Sequence, residues 1–143
     1  MVCLQEVRWR GSSARWLGSQ GSRYKFFWQG CPDGTAGVGV LVAERWVDQV
    51  VSVTRVNARL MAVKLVVGER LMNIISAYAP QVGRCYEDKQ RFWDDMYDFV
   101  GGTPDGEAVF LGGDLNGRVG RDAEGYEGVH GGFGFGSRNV EGE

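Results

Sequence analysis

Apolar positions along this chain recur mostly with a period of two, the spacing of half-buried strands. Val2–Val7 reads as a short apolar strand ending in polar residues. Ser12 and Ser13 can cap a short helix over Ala14–Leu17, which Gly18 and Gly21 then break. Tyr24–Trp28 is aromatic and strand-like, and Gly30, Pro32, Asp33 and Gly34 make a turn after it. Val38–Ala43 and Val47–Thr54 read as strands. Arg59–Val67 alternates, and its set Met61, Val63, Leu65 and Val67 is wholly apolar, so that set is predicted to face the core. Gly68-Glu69 turns this strand tightly into Leu71–Tyr78. The helical period is clear only over Tyr86–Val100, where Phe92, Trp93, Met96, Phe99 and Val100 share one face. Glu87 and Asp88 suit its first turn and Gly101-Gly102 its end. Glu107–Leu111 follows as a short buried strand, and everything from Gly112 onward reads as glycine-rich loop.

Strands joined in succession by turns pair antiparallel, and a long helix must bury its apolar face on a sheet. The predicted class is therefore α+β, in one domain over residues 1–143. Both ends read as cuts through a longer pattern. The reading further predicts that the sheet carrying Val63, Leu65 and Ile74 lacks its full partner and leaves apolar surface open.

Composition changes this picture little. The chain is 43% hydrophobic and 12% aromatic, enough for a core. Net charge is −2, so a protein that holds nucleic acid by bulk charge is excluded and any such contact must be local. The one basic-leaning stretch has Arg8, Arg10, Arg15, Arg23 and Lys25 interleaved with Trp9, Trp16 and Tyr24, and reads as a solvated face. Three cysteines without metal-ligand spacing favour reduced thiols and an intracellular, nuclear or cytoplasmic setting over secretion, with Cys3 packed as a small hydrophobe. No run is long and apolar enough for a membrane helix, so no membrane partner is predicted.

Three places could carry chemistry. Asp114 and Asn116 follow an apolar strand through Gly112-Gly113, and extended chain would aim both side chains the same way. A carboxylate and an amide together can orient water and bind a phosphate oxygen, although the same residues also form Asx turns. Glu6 ends the first strand, where an acid serves as a single Mg²⁺ ligand or simply meets solvent. Tyr78, Gln81 and Arg84 surround the end of a strand at Pro80, and Tyr and Arg suit developing phosphate charge, as well as ordinary packing and turns. The Gly34–Gly39 run reads as a turn and bulge rather than a phosphate loop, and His130 stands among glycines without an acidic neighbour.

Taken in order, Glu at the first strand's end, Tyr-x-Pro and Gly-Asp-x-Asn resemble the endonuclease/exonuclease/phosphatase superfamily, and Gly37-Val38-Gly39-Val40 resembles its glycine-valine strand. The segments Ile75–Gly83, Phe110–Gly117 and Gly125–Gly136 resemble the craniofacial development protein group and LINE-type retrotransposon endonuclease-reverse transcriptase frames. The resemblance implies a four-layer αββα sandwich and Mg²⁺-dependent (or Mn²⁺-dependent) phosphodiester hydrolysis on nucleic acid, DNA before RNA. It makes Glu6 a metal ligand. Asp114 would activate water, Asn116 would hold it, Tyr78 would steady the phosphate, and Gln81 and Arg84 would face nucleic acid.

The resemblance also implies residues this sequence does not show, among them a later Asp and a closing Asp-His pair. The expectation is an incomplete and inactive phosphodiesterase domain. Two other readings stand beside it: a non-catalytic interaction or chromatin-associated protein, and a lipid or inositol phosphate phosphatase.

Overall fold

The computed structural model describes Met1–Glu143. Its strands are β1 (Val2–Gln5), β2 (Ser12–Leu17), β3 (Tyr24–Gly30), β4 (Gly37–Ala43), β5 (Val50–Asn57), β6 (Leu60–Val67), β7 (Arg70–Tyr78) and β8 (Ala108–Asp114). One short helix, α1 (Glu44–Val47), follows β4, and one long helix, α2 (Tyr86–Gly101), joins β7 to β8. A single 3₁₀ turn spans Val140–Gly142.

The strands make two four-stranded sheets, in the orders β1-β4-β3-β2 and β5-β6-β7-β8. All pairings are antiparallel except β7 with β8, which run parallel because α2 carries the chain back across the sheet. The result is the expected α+β sandwich. Three of the four expected layers are formed: sheet, sheet and α2. The outer face of the first sheet carries no helix. There Trp9 packs edge-on against Phe26 and Trp28, with ring centroids 5.2 and 5.0 Å apart.

Strand alternation builds the core. Met61, Val63, Leu65, Ile74 and Tyr78 face the first sheet and pack with Phe27, Val38, Val40 and Val42. The opposite residues Leu60, Ala62, Ile75 and Ala77 are buried under Phe92 and Met96 of α2. Val63, Leu65 and Ile74 are therefore fully covered, contrary to the expectation that their sheet face lacks a partner. Truncating a side chain such as Leu65 to Ala should cost about 2–5 kcal/mol.

Four other expectations change. Ser12–Leu17 is a strand, because Ser12 to Leu17 pair residue for residue with Gln29 to Tyr24 and Ala14 joins the core. Tertiary pairing outweighs the weak capping signal. Glu44–Val47 turns helically before the chain re-enters a sheet at Val50. β8 is longer than predicted and not buried, with Phe110 and Leu111 52% and 42% exposed. It is an edge strand with one neighbour, and α2 lies over β6 and β7 instead. For the same reason Trp93 and Val100, on the predicted apolar face of α2, stay exposed while Phe92 and Met96 are buried.

Candidate active site

Sheet topology brings one set of strand ends to one rim. Tyr78, at the end of β7, stands in register with Asp114 at the end of parallel β8. β1 packs against both strands, so the residue after it, Glu6, reaches the same rim from the other sheet. Ser76 ties the two sheets there. Its hydroxyl donates to the Leu4 carbonyl at 3.0 Å and accepts from Gln5 Nε2 at 3.2 Å.

Close approach of the strands depends on two glycines. A Cβ at Gly113 would fall on the backbone carbonyl of Ala77, and one at Gly112 would lie 3.1 Å from Cys3 Sγ. The glycines ahead of Asp114 thus let β8 dock against β7 and β1, which holds Asp114 beside Tyr78.

The Tyr78 hydroxyl donates to Glu6 Oε1 at 2.9 Å, and Arg8 Nη2 donates to Glu6 Oε2 at 2.8 Å. These two bonds, Arg8 first, hold the Glu6 carboxyl below the usual range. Desolvation, then the bond to Glu6, pushes the Tyr78 phenol up. Asp114 Oδ1 accepts the backbone N–H of Asn116 at 2.9 Å, and Asn116 Nδ2 donates to the Ala79 carbonyl at 2.8 Å. The Asx turn is therefore present, and strand alternation does not align this pair, since Asn116 lies beyond β8. The turn is how Asn116 is held at the rim.

Backbone conformation marks the same place. Glu6, Arg8 and Asn116 have φ of 51°, 55° and 52°, and no other non-glycine residue has positive φ. Such conformations are uncommon and gather where surrounding structure over-determines them, often at functional sites.

Gln81 and Arg84 sit together in the exposed turn after β7, with Arg84 N–H donating to the Gln81 carbonyl at 2.9 Å. Neither side chain hydrogen-bonds the rim residues. His130 lies in the 120–138 loop. Its Nδ1 accepts from Gly132 N–H at 2.9 Å, which leaves Nε2 to donate to the Gly120 carbonyl at 3.1 Å. Both ring nitrogens thus serve the loop.

Sequence reasoning missed Arg59. Its Nη1 donates to the carbonyls of Tyr78 and Ala79 at 3.1 and 3.2 Å, and its guanidinium carbon lies 5.0 Å over the Tyr78 ring. The signal was available. The Gly68-Glu69 turn pairs Val67 with Arg70, and counting back along both strands sets Arg59 opposite Tyr78.

The sequence model of the Endonuclease/Exonuclease/phosphatase family matches residues 1–138. The chain belongs to that family. No curated protein matches the sequence. Within the family frame, a Mg²⁺ ion can be tested against the donors present. Glu6 offers one carboxylate, 43% exposed, whose Oε2 is covered by the exposed Arg8 and whose Oε1 accepts from Tyr78. No cluster of three or more acidic, histidine or cysteine side chains could cage a metal. One carboxylate with water and phosphate oxygens completing the shell fits Mg²⁺ chemistry, whereas a caged zinc or calcium does not fit.

Proposed function

We propose that the Glu6–Tyr78–Asp114–Asn116 rim is the metal- and phosphate-binding part of a Mg²⁺-dependent phosphodiesterase site acting on nucleic acid, DNA in preference to RNA. The convergence of Glu6 and Tyr78 at 2.9 Å, with Asp114 in register beside Tyr78, is the observation that carries this reading. Glu6 would hold the Mg²⁺, which supplies charge neutralisation at the phosphate when bound. Asp114 would take a proton from water and Asn116 would hold that water, a reading supported by the turn that ties Asn116 to Asp114 Oδ1 and to the Ala79 carbonyl. Tyr78 positions Glu6 and, with Arg59 behind its ring, caps the phosphate side of the rim. Gln81 and Arg84 lie on the flank where a strand would leave. The segments Ile75–Gly83, Phe110–Gly117 and Gly125–Gly136 support a retrotransposon-type or craniofacial-development-type branch.

Turnover by these residues alone is proposed to be far below that of a complete site. Both ring nitrogens of His130 serve its own loop, and a rim that works without a histidine acid or base forgoes about 10²–10⁴-fold in rate. A second reading is a non-catalytic interaction module. The open apolar strip of Trp93, Tyr97, Val100 and Leu111 favours it.

The test pairs binding with nicking. Purified protein should bind DNA in Mg²⁺ and leave supercoiled plasmid intact. Absence of any Mg²⁺-dependent phosphodiester binding would overturn the site. Plasmid nicking that Asp114→Ala abolishes would overturn the low-turnover part and show that the rim suffices.

A further inference from the structure

Beside the rim a second concavity of about 290 Å³ opens between the Asn57–Arg59 turn and the first half of α2. Three arginines line it, Arg59, Arg84 and Arg91, together with Asp88 and Asp95. The molecule's four ion pairs use Arg8, Arg23, Lys64 and Lys89, so none of these three arginines is neutralised by an acid. Asp95 is already engaged, because Asn57 Nδ2 donates to it at 2.7 Å. Asp88 and Asp95 together set two negative charges against three cations, which leaves the cleft an excess of one positive charge. Arg84 and Arg91 are exposed, with their forks free. A chain of net charge −2 thus concentrates unpaired positive charge in one concave place.

Arg59 joins this cleft to the rim. Its Nη1 is spent on the Tyr78 and Ala79 carbonyls, but a guanidinium carries five N–H donors and the rest remain. Planar guanidinium forks match phosphate oxygens two at a time, which is the chemistry an anionic backbone requires.

We propose that this cleft seats a backbone phosphate flanking the scissile one, so that a DNA strand runs from Tyr78 past Arg59 onto Arg84 and Arg91. The inference rests on the phosphodiesterase reading and deepens it. The rim handles one phosphodiester, and the cleft makes a polynucleotide, rather than a small phosphate ester, the fitting substrate. Asp88 limits affinity by standing among the cations.

Fluorescence anisotropy with labelled single-stranded DNA of roughly 12 nucleotides in Mg²⁺ tests it, with a labelled dinucleotide carrying one phosphodiester as the second probe. Arg84→Ala/Arg91→Ala should weaken the longer strand about tenfold and make its salt dependence shallower by about 0.7 in log–log slope, one phosphate's share. Dinucleotide binding should be unchanged. Asp88→Asn should tighten the longer strand about two- to threefold, the scale of one exposed charge, and a misfolded variant cannot produce that gain. Equal loss on both probes would overturn the proposal by assigning the arginines to the scissile phosphate. Unchanged strand binding in both variants would overturn it too. If the wild-type protein binds neither probe, the phosphodiesterase reading falls with it. If the wild type binds and only the cleft variants are silent, the cleft alone falls.

Discussion

Tyr78 and Glu6, 72 residues apart in the chain, meet at 2.9 Å across the two sheets, hydroxyl to carboxylate. Arg8 holds the other oxygen of the same carboxylate. Both bonds favour the charged form, so removing either should let the Glu6 carboxyl climb back toward 4.5, its ordinary value. Arg8→Ala should raise it more than Tyr78→Phe, because the Arg8 bond is the larger cause. Carbon-detected NMR titration of the Glu6 carboxyl reads this directly. Identical titrations in wild type and both variants would mean the bonds do not form in solution.

Gly113 and Gly112 should differ in their tolerance of a methyl group. A Cβ at Gly113 meets the Ala77 backbone, which cannot give way without parting β8 from β7. At Gly112 it meets the Cys3 side chain at 3.1 Å, and a thiol can shift. Gly113→Ala should cost about 1–3 kcal/mol, and Gly112→Ala distinctly less. Denaturant midpoints check the order, and equal midpoints would show that β8 docks more loosely than described.

Acid should unfold the protein through specific carboxylates. Asp33 is held down to about 2, by the Cys31 thiol first and the Thr35 N–H second. Asn73 and then Lys64 lower Glu107, and Lys89 lowers Glu141. A depressed folded pKa gives stability that is present above the unfolded value and lost as pH falls toward the folded one. The denaturation midpoint should therefore fall from about pH 4.5 down to about pH 2. Asp33→Asn should remove the most acidic part of that fall. A midpoint indifferent to pH in this window would contradict the assignment.

The open side of β8 should make the chain self-associate. Trp93, Met96, Tyr97, Val100 and Leu111 line an apolar depression of about 450 Å³. Ala108–Gly113 carries no charged side chain to guard its free edge. Sedimentation velocity should show mass rising with concentration, and Trp93→Glu with Leu111→Lys should suppress it. A wild-type monomer at every concentration would contradict this.

Much of the fold was legible. Alternation from Arg59 to Val67 and the tight turn at Gly68-Glu69 fix the register of β6 and β7. The Phe92 and Met96 spacing fixes the buried face of α2. What failed was long-range. Ser12–Leu17 has a local sequence compatible with helix, and only its pairing with β3 makes it strand. Val109–Leu111 has the composition of a buried strand, and composition cannot say whether a second neighbour lies alongside. At the site, residue types were readable but their connections were not. Asn116 reaches the rim through a left-handed turn, which a period-two reading cannot foresee. Arg59 acts through its guanidinium on carbonyls of the neighbouring strand, a contact visible only once register is applied.

The most direct test of the rim is where a divalent ion lands. Mn²⁺ added in small amounts to isotope-labelled protein broadens NMR signals near its site. Signals of Glu6, Asp114 and Asn116 should disappear first, excess Mg²⁺ should restore them, and Glu6→Gln should abolish the pattern. Broadening centred instead on the acidic face of α2, at Asp94, Asp95 or Asp98, or on Asp122 and Glu124 of the loop, with the rim untouched, would contradict the account.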